Sequence, residues 1–300
     1  MKKGDTIGIA APATHAEGQD ITAAVQDLKD HGYKVKLTPT ATGTYGFFSG
    51  TDEARARDLN ALFADDSVKA ILCLNGGYGS GRILDKLDYG LIHQHPKLVI
   101  GFSDVTALQT ALWQKAHLVT ANGPLLVTLA GGSPYTRQSF YDGLLKNDWS
   151  GPVTLPQGRH LKTLVSGKAT GRLVGGNLAM LTSLVGTPYE LDGTGDILVL
   201  EEVSENSYRI DRMLNQLYQS GLLKRVSAIV YGDFTNCGHD PGDFTTPEVL
   251  EYYAKLVHKP VISGLPVGHE WDKVFLPYGI QATVDARADG TASLTLAGNI

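Results

Sequence analysis

Apolar and polar positions along this chain alternate between two periods. Short apolar runs read as strands at Thr6 to Ala10, Tyr33 to Leu37, Val68 to Leu74, Lys97 to Ile100 and Leu118 to Ala121. Between them, apolar residues recur at helical spacing over Gln19 to His31, where Ile21, Ala24, Val25 and Leu28 share a face, then over Asp52 to Ala64, Ile83 to Leu87, Val105 to Lys115 and Tyr135 to Leu145. Such alternation predicts a parallel sheet, because parallel neighbours need a crossover helix. Right-handed crossovers bring the strand C-termini to one edge, so the loops after Leu74 and Ile100 are expected side by side there, as is any site.

The stretch Asn147 to Ser166 breaks both periods with Gly151-Pro152, Pro156 and Gly158 and reads as an interdomain crossing. The chain then divides into an N-terminal domain over 1–146, a linker over 147–166 and a smaller C-terminal domain over 167–300. In the latter, strands are predicted at Ala169 to Val174, Ile197 to Leu200, Ala228 to Tyr231 and just after Pro260, and helices at Leu178 to Val185, Ser207 to Gln219 and Pro247 to Val257. Gln281 to Asp285 and Ala292 to Leu296 alternate as an antiparallel hairpin around Ala288-Asp289-Gly290.

Three places carry chemistry. At Gly101-Phe102-Ser103-Asp104 a strand turns into a helix with a serine on the corner, which exposes a seryl oxygen beside the first helix N–H groups, the geometry of acyl transfer. The usual corner has glycine two places after the serine; Val105 stands there, and a helix-capping serine or aspartate gives the same letters. The loop Asn75-Gly76-Gly77-Tyr78-Gly79-Ser80-Gly81-Arg82 has four glycines in six positions. It lacks both a Gly-Lys-Ser/Thr ending and dinucleotide-type spacing, so the phosphate-cradle reading gives way to one in which Gly76 or Gly77 donates one N–H to an oxyanion and Asp104 the other. The alternative is a tight turn that lets a helix pack. In the second half, the strand ending at Leu200 delivers Glu201 and Glu202, expected to face opposite sides with one inward and one outward, and His269 follows a strand and a glycine. Asn177, in Gly175-Gly176-Asn177, is either a pocket amide or a helix cap. The polar loop with Asp233, His239, Asp240 and Asp243 lacks metal-ligand spacing, and no metal or cofactor is expected.

Composition narrows the partners. Hydrophobic residues make up 42% of 300 and charged residues 19%, an ordinary globular balance. A net charge of −5, with no Lys/Arg cluster interleaved with aromatics, argues against nucleic acid. No apolar run reaches membrane-spanning length, and Met1-Lys2-Lys3-Gly4-Asp5 leads straight into a strand without a signal-type apolar segment. Two distant cysteines, Cys73 and Cys237, fit a reducing compartment. The expectation is a cytoplasmic protein.

Six ordered motifs then carry a resemblance: Gly4-Asp5 with Ala10-Ala11-Pro12-Ala13; the glycine loop 75–82; Gly101-Phe102-Ser103-Asp104; Gly175-Gly176-Asn177-Leu178; Leu200-Glu201-Glu202 with Tyr208-Arg209-Ile210-Asp211-Arg212-Met213-Leu214; and Gly268-His269 with Leu276-Pro277-Tyr278-Gly279. The chain resembles the LD-carboxypeptidase family of serine peptidases, which includes murein tetrapeptide carboxypeptidases and microcin C self-immunity proteins. The resemblance implies a Rossmann-like N-terminal domain carrying Ser103 as nucleophile, a C-terminal swivelling β/α domain carrying Glu201 and His269, and a site in the cleft between them. It implies Gly77 and Asp104 as the oxyanion donors, and it selects Glu201 over Glu202. It also implies a homodimer that releases terminal D-alanine from muropeptide tetrapeptides during wall recycling. Gly76, Tyr78, Arg82 and Asn177 are the candidates for substrate binding, Arg82 for the substrate's carboxylate. Microcin-type members carry an additional aromatic-bearing loop for which 300 residues leave little room. The competing class is a non-catalytic binder of small anions at the glycine loop.

Overall fold

The structure, a computed structural model, describes residues 1–16, 18–19, 21–146 and 148–298. Asp20, inside the first predicted helix, Asn147, at the start of the predicted linker, and 299–300, at the end of the predicted C-terminal domain, lie outside the described residues. The chain divides into two compact units, Met1–Asn147 and Asp148–Ile300.

The first unit is built on strands β1 (Thr6–Ala10), β2 (Lys34–Leu37), β3 (Val68–Cys73), β4 (Leu98–Gly101) and β5 (Thr120–Asn122). They run parallel in the order β5-β4-β3-β1-β2. Helices α1 (Thr22–Asp30), α2 (Asp52–Ala64), α3 (Tyr89–Gln94), α4 (Val105–Ala116), α5 (Leu126–Leu129) and α6 (Pro134–Leu145) supply the crossovers and flanks. Covered on both faces, the central strands bury Ile7, Ile9, Ile71, Leu72, Val99 and Ile100 completely, which is why their sequence reads as continuous apolar runs. The β3–β4 connection opens with a 3₁₀ turn, Ser80–Lys86, longer than the predicted helical stretch and starting in the glycine loop itself. The short helices α3 and α5 carry too few turns to register as a periodic pattern.

The second unit contains β6 (Gly151–Pro152), β7 (Lys162–Val165), β8 (Gly167–Asn177), β9 (Ile197–Val203), β10 (Ala228–Thr235), β11 (Val261–Ser263), β12 (Leu276–Tyr278), β13 (Gln281–Ala286) and β14 (Ala292–Ala297), with α7 (Leu178–Ser183), α8 (Ser207–Gln219), α9 (Leu222–Arg225) and α10 (Thr246–Val257). Its sheet runs β6-β14-β13-β8-β9-β10-β11-β7. The strands β8, β9, β10 and β11 pair in parallel, and the antiparallel β13–β14 hairpin extends the sheet beside β8. The segment expected to be a linker supplies two edge strands of this sheet, β6 against β14 and β7 against β11. Its Pro and Gly residues suit edge strands, where a missing ladder N–H costs least. With these strands included the two units are nearly equal in length. Among the described residues no helix is long and apolar enough to cross a membrane.

Candidate active site

At the C-terminal edge of the first sheet, β4 ends at Gly101 and α4 begins at Val105, leaving Phe102, Ser103 and Asp104 to make the corner. Ser103 has φ +62°, a left-handed conformation that a non-glycine residue adopts at a cost of roughly 1–2 kcal/mol. The surrounding contacts show what holds it there. Gly101 has no room for a side chain, since a Cβ would lie 2.8 Å from Val105 Cγ1. The small residue of this corner thus stands before the serine, and Val105 fills the space it leaves. The glycine loop packs directly against the corner: a Cβ on Gly76 would stand 3.3 Å from Ser103 Cβ and 3.4 Å from its Oγ.

Within that loop several backbone N–H groups are engaged. Gly76 N–H donates to Asn75 Oδ1 at 2.9 Å and Tyr78 N–H to Thr14 Oγ1 at 3.1 Å. Gly79 and Ser80 donate to the two carboxylate oxygens of Asp104 at 3.1 and 2.8 Å. Among the described residues the Gly77 N–H has no acceptor, and neither does the backbone N–H of Asp104, whose helix turn begins too late to pair it. Gly77 has φ +84°, and a Cβ there would lie 2.4 Å from Thr14 Oγ1, so only glycine fits. Two amides without acceptors, one in the glycine loop and one on the corner itself, thus accompany a serine held out of ordinary backbone space. Such a pair is suited to a developing oxyanion.

The other candidates of this unit have neighbours of their own. Arg82 donates through Nε and Nη2 to Asp52 Oδ2 at 3.0 and 2.8 Å and lies over the Phe48 ring. Burial alone would raise the Asp52 pKa, but the hydrogen bonds from Arg82 and Arg55 reverse this and hold it below the usual carboxylate range. Tyr78 is exposed, its ring 6.0 Å from that of Phe47 and 5.8 Å from that of Phe48.

In the second unit, β9 delivers both glutamates to its C-terminal end, and both are buried, at 1% and 3% exposure. The expectation that one would face outward fails because both faces of β9 are covered at this end, one by the loop carrying His269 and the other by the start of α7. On one side Glu201 Oε2 lies 2.9 Å from His269 Nδ1. An ionised carboxylate only accepts, so Nδ1 carries the proton and Nε2 is the basic nitrogen. The backbone leading to His269 passes close between two acids: Gly268 has φ +141°, and a Cβ there would stand 3.3 Å from Glu201 Oε2 and 3.0 Å from Asp233 Cβ. Arg159 anchors this loop by pairing with Asp233 and donating to Gly264 O at 2.7 Å. Burial raises the Asp233 pKa, with Arg159 opposing, and burial lowers that of Lys273, with Asp233 and Glu201 opposing.

On the other side, Glu202 accepts from Asn177 Nδ2 at 3.0 Å, Val203 N at 2.8 Å and Ala179 N at 2.8 Å. Burial raises its pKa, although these three bonds oppose the rise. Asn177 caps α7 through Oδ1, which accepts from Met180 N at 3.2 Å. Glu202 and Asn177 therefore fasten α7 to β9, while Glu201 addresses the histidine.

Sequence reasoning missed Arg55 and the side chain of Asp104. Arg55 reads as a solvated helix residue beside Asp52, yet it is 1% exposed and its guanidinium reaches the carbonyls of Pro12, Gly79 and Gly50. No local pattern marks that burial, which comes from loops after β1 and β3 closing over α2.

Comparison with known proteins identifies the family. A model of the LD-carboxypeptidase N-terminal domain matches residues 7–123, and one of the LD-carboxypeptidase C-terminal domain matches residues 170–284. The chain belongs to the LD-carboxypeptidase family. It is 39% identical to the probable murein peptide carboxypeptidase of Bacillus subtilis (strain 168), over 97% of this chain and 92% of that protein. It is 32% identical to the murein tetrapeptide carboxypeptidase of Pseudomonas aeruginosa, over 93% of this chain and 92% of that one. Among solved structures, an MccF-like protein from Bacillus anthracis str. Ames matches with a TM-score of 0.90 at 30% identity, covering 99% of this chain and 98% of that chain. The LD-carboxypeptidase match covers both the unit that holds Ser103 and the unit that holds Glu201, and it supports a peptidase.

Proposed function

We propose that this protein is a serine-type LD-carboxypeptidase that hydrolyses the L,D-peptide bond of muropeptide tetrapeptides and releases the terminal D-alanine. The observation that carries the reading is the left-handed Ser103 corner with the unpaired N–H groups of Gly77 and Asp104 beside it. In this reading Ser103 Oγ attacks the carbonyl carbon of the L-centre and gives its proton to His269 Nε2. The Gly77 and Asp104 amides receive the oxyanion, and Glu201 stabilises the imidazolium across the 2.9 Å bond. The C–N bond breaks as His269 returns the proton to the D-alanine amine. Water, deprotonated by the same imidazole, then cleaves the acyl-serine to tripeptide and free enzyme. No metal or cofactor takes part. The setting is the cytoplasmic recycling of wall peptides by a homodimer.

Incubation with L-Ala-γ-D-Glu-diamino acid-D-Ala tetrapeptides of both wall chemistries tests the reaction. Free D-alanine is expected from at least one, and none from Ser103→Ala. A fluorophosphonate probe separates this reading from a non-catalytic anion binder: it should modify Ser103, fail on Ser103→Ala and react slowly with His269→Ala. A native protein left unlabelled favours the binder. Likeness to an MccF-like structure favours a second reading, a microcin-type immunity peptidase, which predicts turnover of an aminoacyl nucleotide in preference to the tetrapeptide.

A further inference from the structure

We propose that the Asp104 carboxylate and the Arg55 guanidinium form a two-sided clamp on Gly79 that fixes the Gly77 N–H relative to Ser103. They are then positioning residues for oxyanion stabilisation. The inference rests on the serine-peptidase reading and adds to it two side chains to which that reading gives no role.

Its basis is a connectivity that joins the two oxyanion donors through one residue. Asp104 offers its backbone N–H at the serine corner, and its side chain, 1% exposed, accepts from Gly79 and Ser80 in the loop that carries the other donor. Ser80 Oγ donates back to the Asp104 carbonyl, closing the contact in both directions. From the opposite side Arg55 Nη1 donates to the Gly79 carbonyl at 2.9 Å, so both polar ends of that residue are held. The same guanidinium reaches Pro12 O, Gly50 O and Asp52 Oδ1 and lies 4.6 Å over the Phe48 ring. It thereby ties the glycine loop to the loop after β1, where Thr14 meets the backbone on either side of Gly77, through Gly76 O and the Tyr78 N–H.

A segment this rich in glycine has more backbone freedom to lose than any other, and an oxyanion donor stabilises charge well only if it is already in place. A fully buried arginine costs desolvation energy that an apolar side chain of like volume avoids. Here it supplies what such a side chain lacks, several fixed donors aimed at carbonyls of different loops.

Asp104→Asn is the test. An amide offers one acceptor oxygen and turns an NH₂ group toward the second backbone N–H, so one of Gly79 and Ser80 is repelled. With the tetrapeptide that the wild type cleaves, kcat is expected to fall about 10- to 100-fold with KM within about twofold, since displacing a donor affects only the transition state. Fluorophosphonate labelling of Ser103 should slow by a similar factor, and hydrogen exchange should quicken in residues 76–82. Should Asp104→Asn not fold, Ser80→Ala, which removes only the return bond, is expected to lower kcat about three- to tenfold at constant KM. Wild-type kcat in either folded variant, or a loss shared equally by kcat and KM, would overturn the clamp. Full activity in Ser103→Ala would instead overturn the serine-peptidase reading, so the two failures are distinguishable.

Discussion

Glu201 and Glu202 are adjacent, chemically identical and almost equally buried, so replacing each by glutamine isolates what its contacts do. In Glu201→Gln the amide can face His269 either way. With NH₂ toward Nδ1, the ring must carry its proton on Nε2 to accept there, and the basic nitrogen is lost. With the oxygen toward Nδ1, the tautomer survives without the negative charge that stabilises the imidazolium. Removing the acid of a Ser-His-acid set in the first manner costs about 10⁴ in kcat, equivalent to about 5.4 kcal/mol at 1.36 kcal/mol per tenfold; the second should cost about 10². Stability should change little, because the substitution removes a buried charge together with its desolvation cost. Glu202→Gln is the converse. Its carboxylate accepts three N–H bonds from Asn177, Val203 and Ala179, and an amide must point NH₂ at one of them, at a cost of about 1–3 kcal/mol. For a domain of this size that lowers Tm by roughly 2–12 °C, with kcat within a few-fold of wild type. D-alanine release under saturating tetrapeptide and calorimetric Tm measure the two effects separately. Equal losses of kcat in the two variants, or a larger loss in Glu202→Gln, would refute the assignment.

Further outcomes follow from the first unit. Gly76→Ala places a methyl 3.4 Å from Ser103 Oγ and 3.5 Å from Leu125 Cδ1, close enough to crowd an incoming carbonyl but not to expel the loop; kcat/KM should fall about tenfold or more with Tm within a few degrees, read by steady-state kinetics and calorimetry. Gly77→Ala, with a left-handed φ and a 2.4 Å contact to Thr14 Oγ1, should lose both activity and stability. In Arg82→Gln the Asp52 carboxyl loses a partner that holds its pKa down. A depressed carboxyl pKa contributes stability that is present above the unfolded value near 4 and lost as pH falls through the lower folded value. The variant should therefore be less stable than wild type at neutral pH and converge with it in acid, as urea unfolding at pH 7 and pH 2.5 will show. KM for the tetrapeptide should change less than threefold, since Asp52 already occupies the Arg82 fork.

The order of strands and helices in the first half was legible because parallel strands buried on both faces must be continuously apolar and their crossovers must be amphipathic. The serine corner and the glycine loop were legible as neighbours for the same reason, since one edge collects every strand C-terminus. The sequence also contained Glu201, Glu202 and His269, but alternation along a strand states only that adjacent side chains diverge, and it predicted one exposed acid where the His269 loop on one face of β9 and the start of α7 on the other bury both. Which glutamate meets the imidazole depends on a loop 68 residues away, a separation that no local pattern records. Arg55 is the clearest case of the limit. Its neighbours along α2 suggest a solvated ion pair, and only the closure of three loops over it makes a buried donor to their carbonyls. Backbone periodicity reports how a segment folds against an average apolar interior, whereas the pairing of particular donors with particular acceptors is settled by which loops come together at the sheet edge.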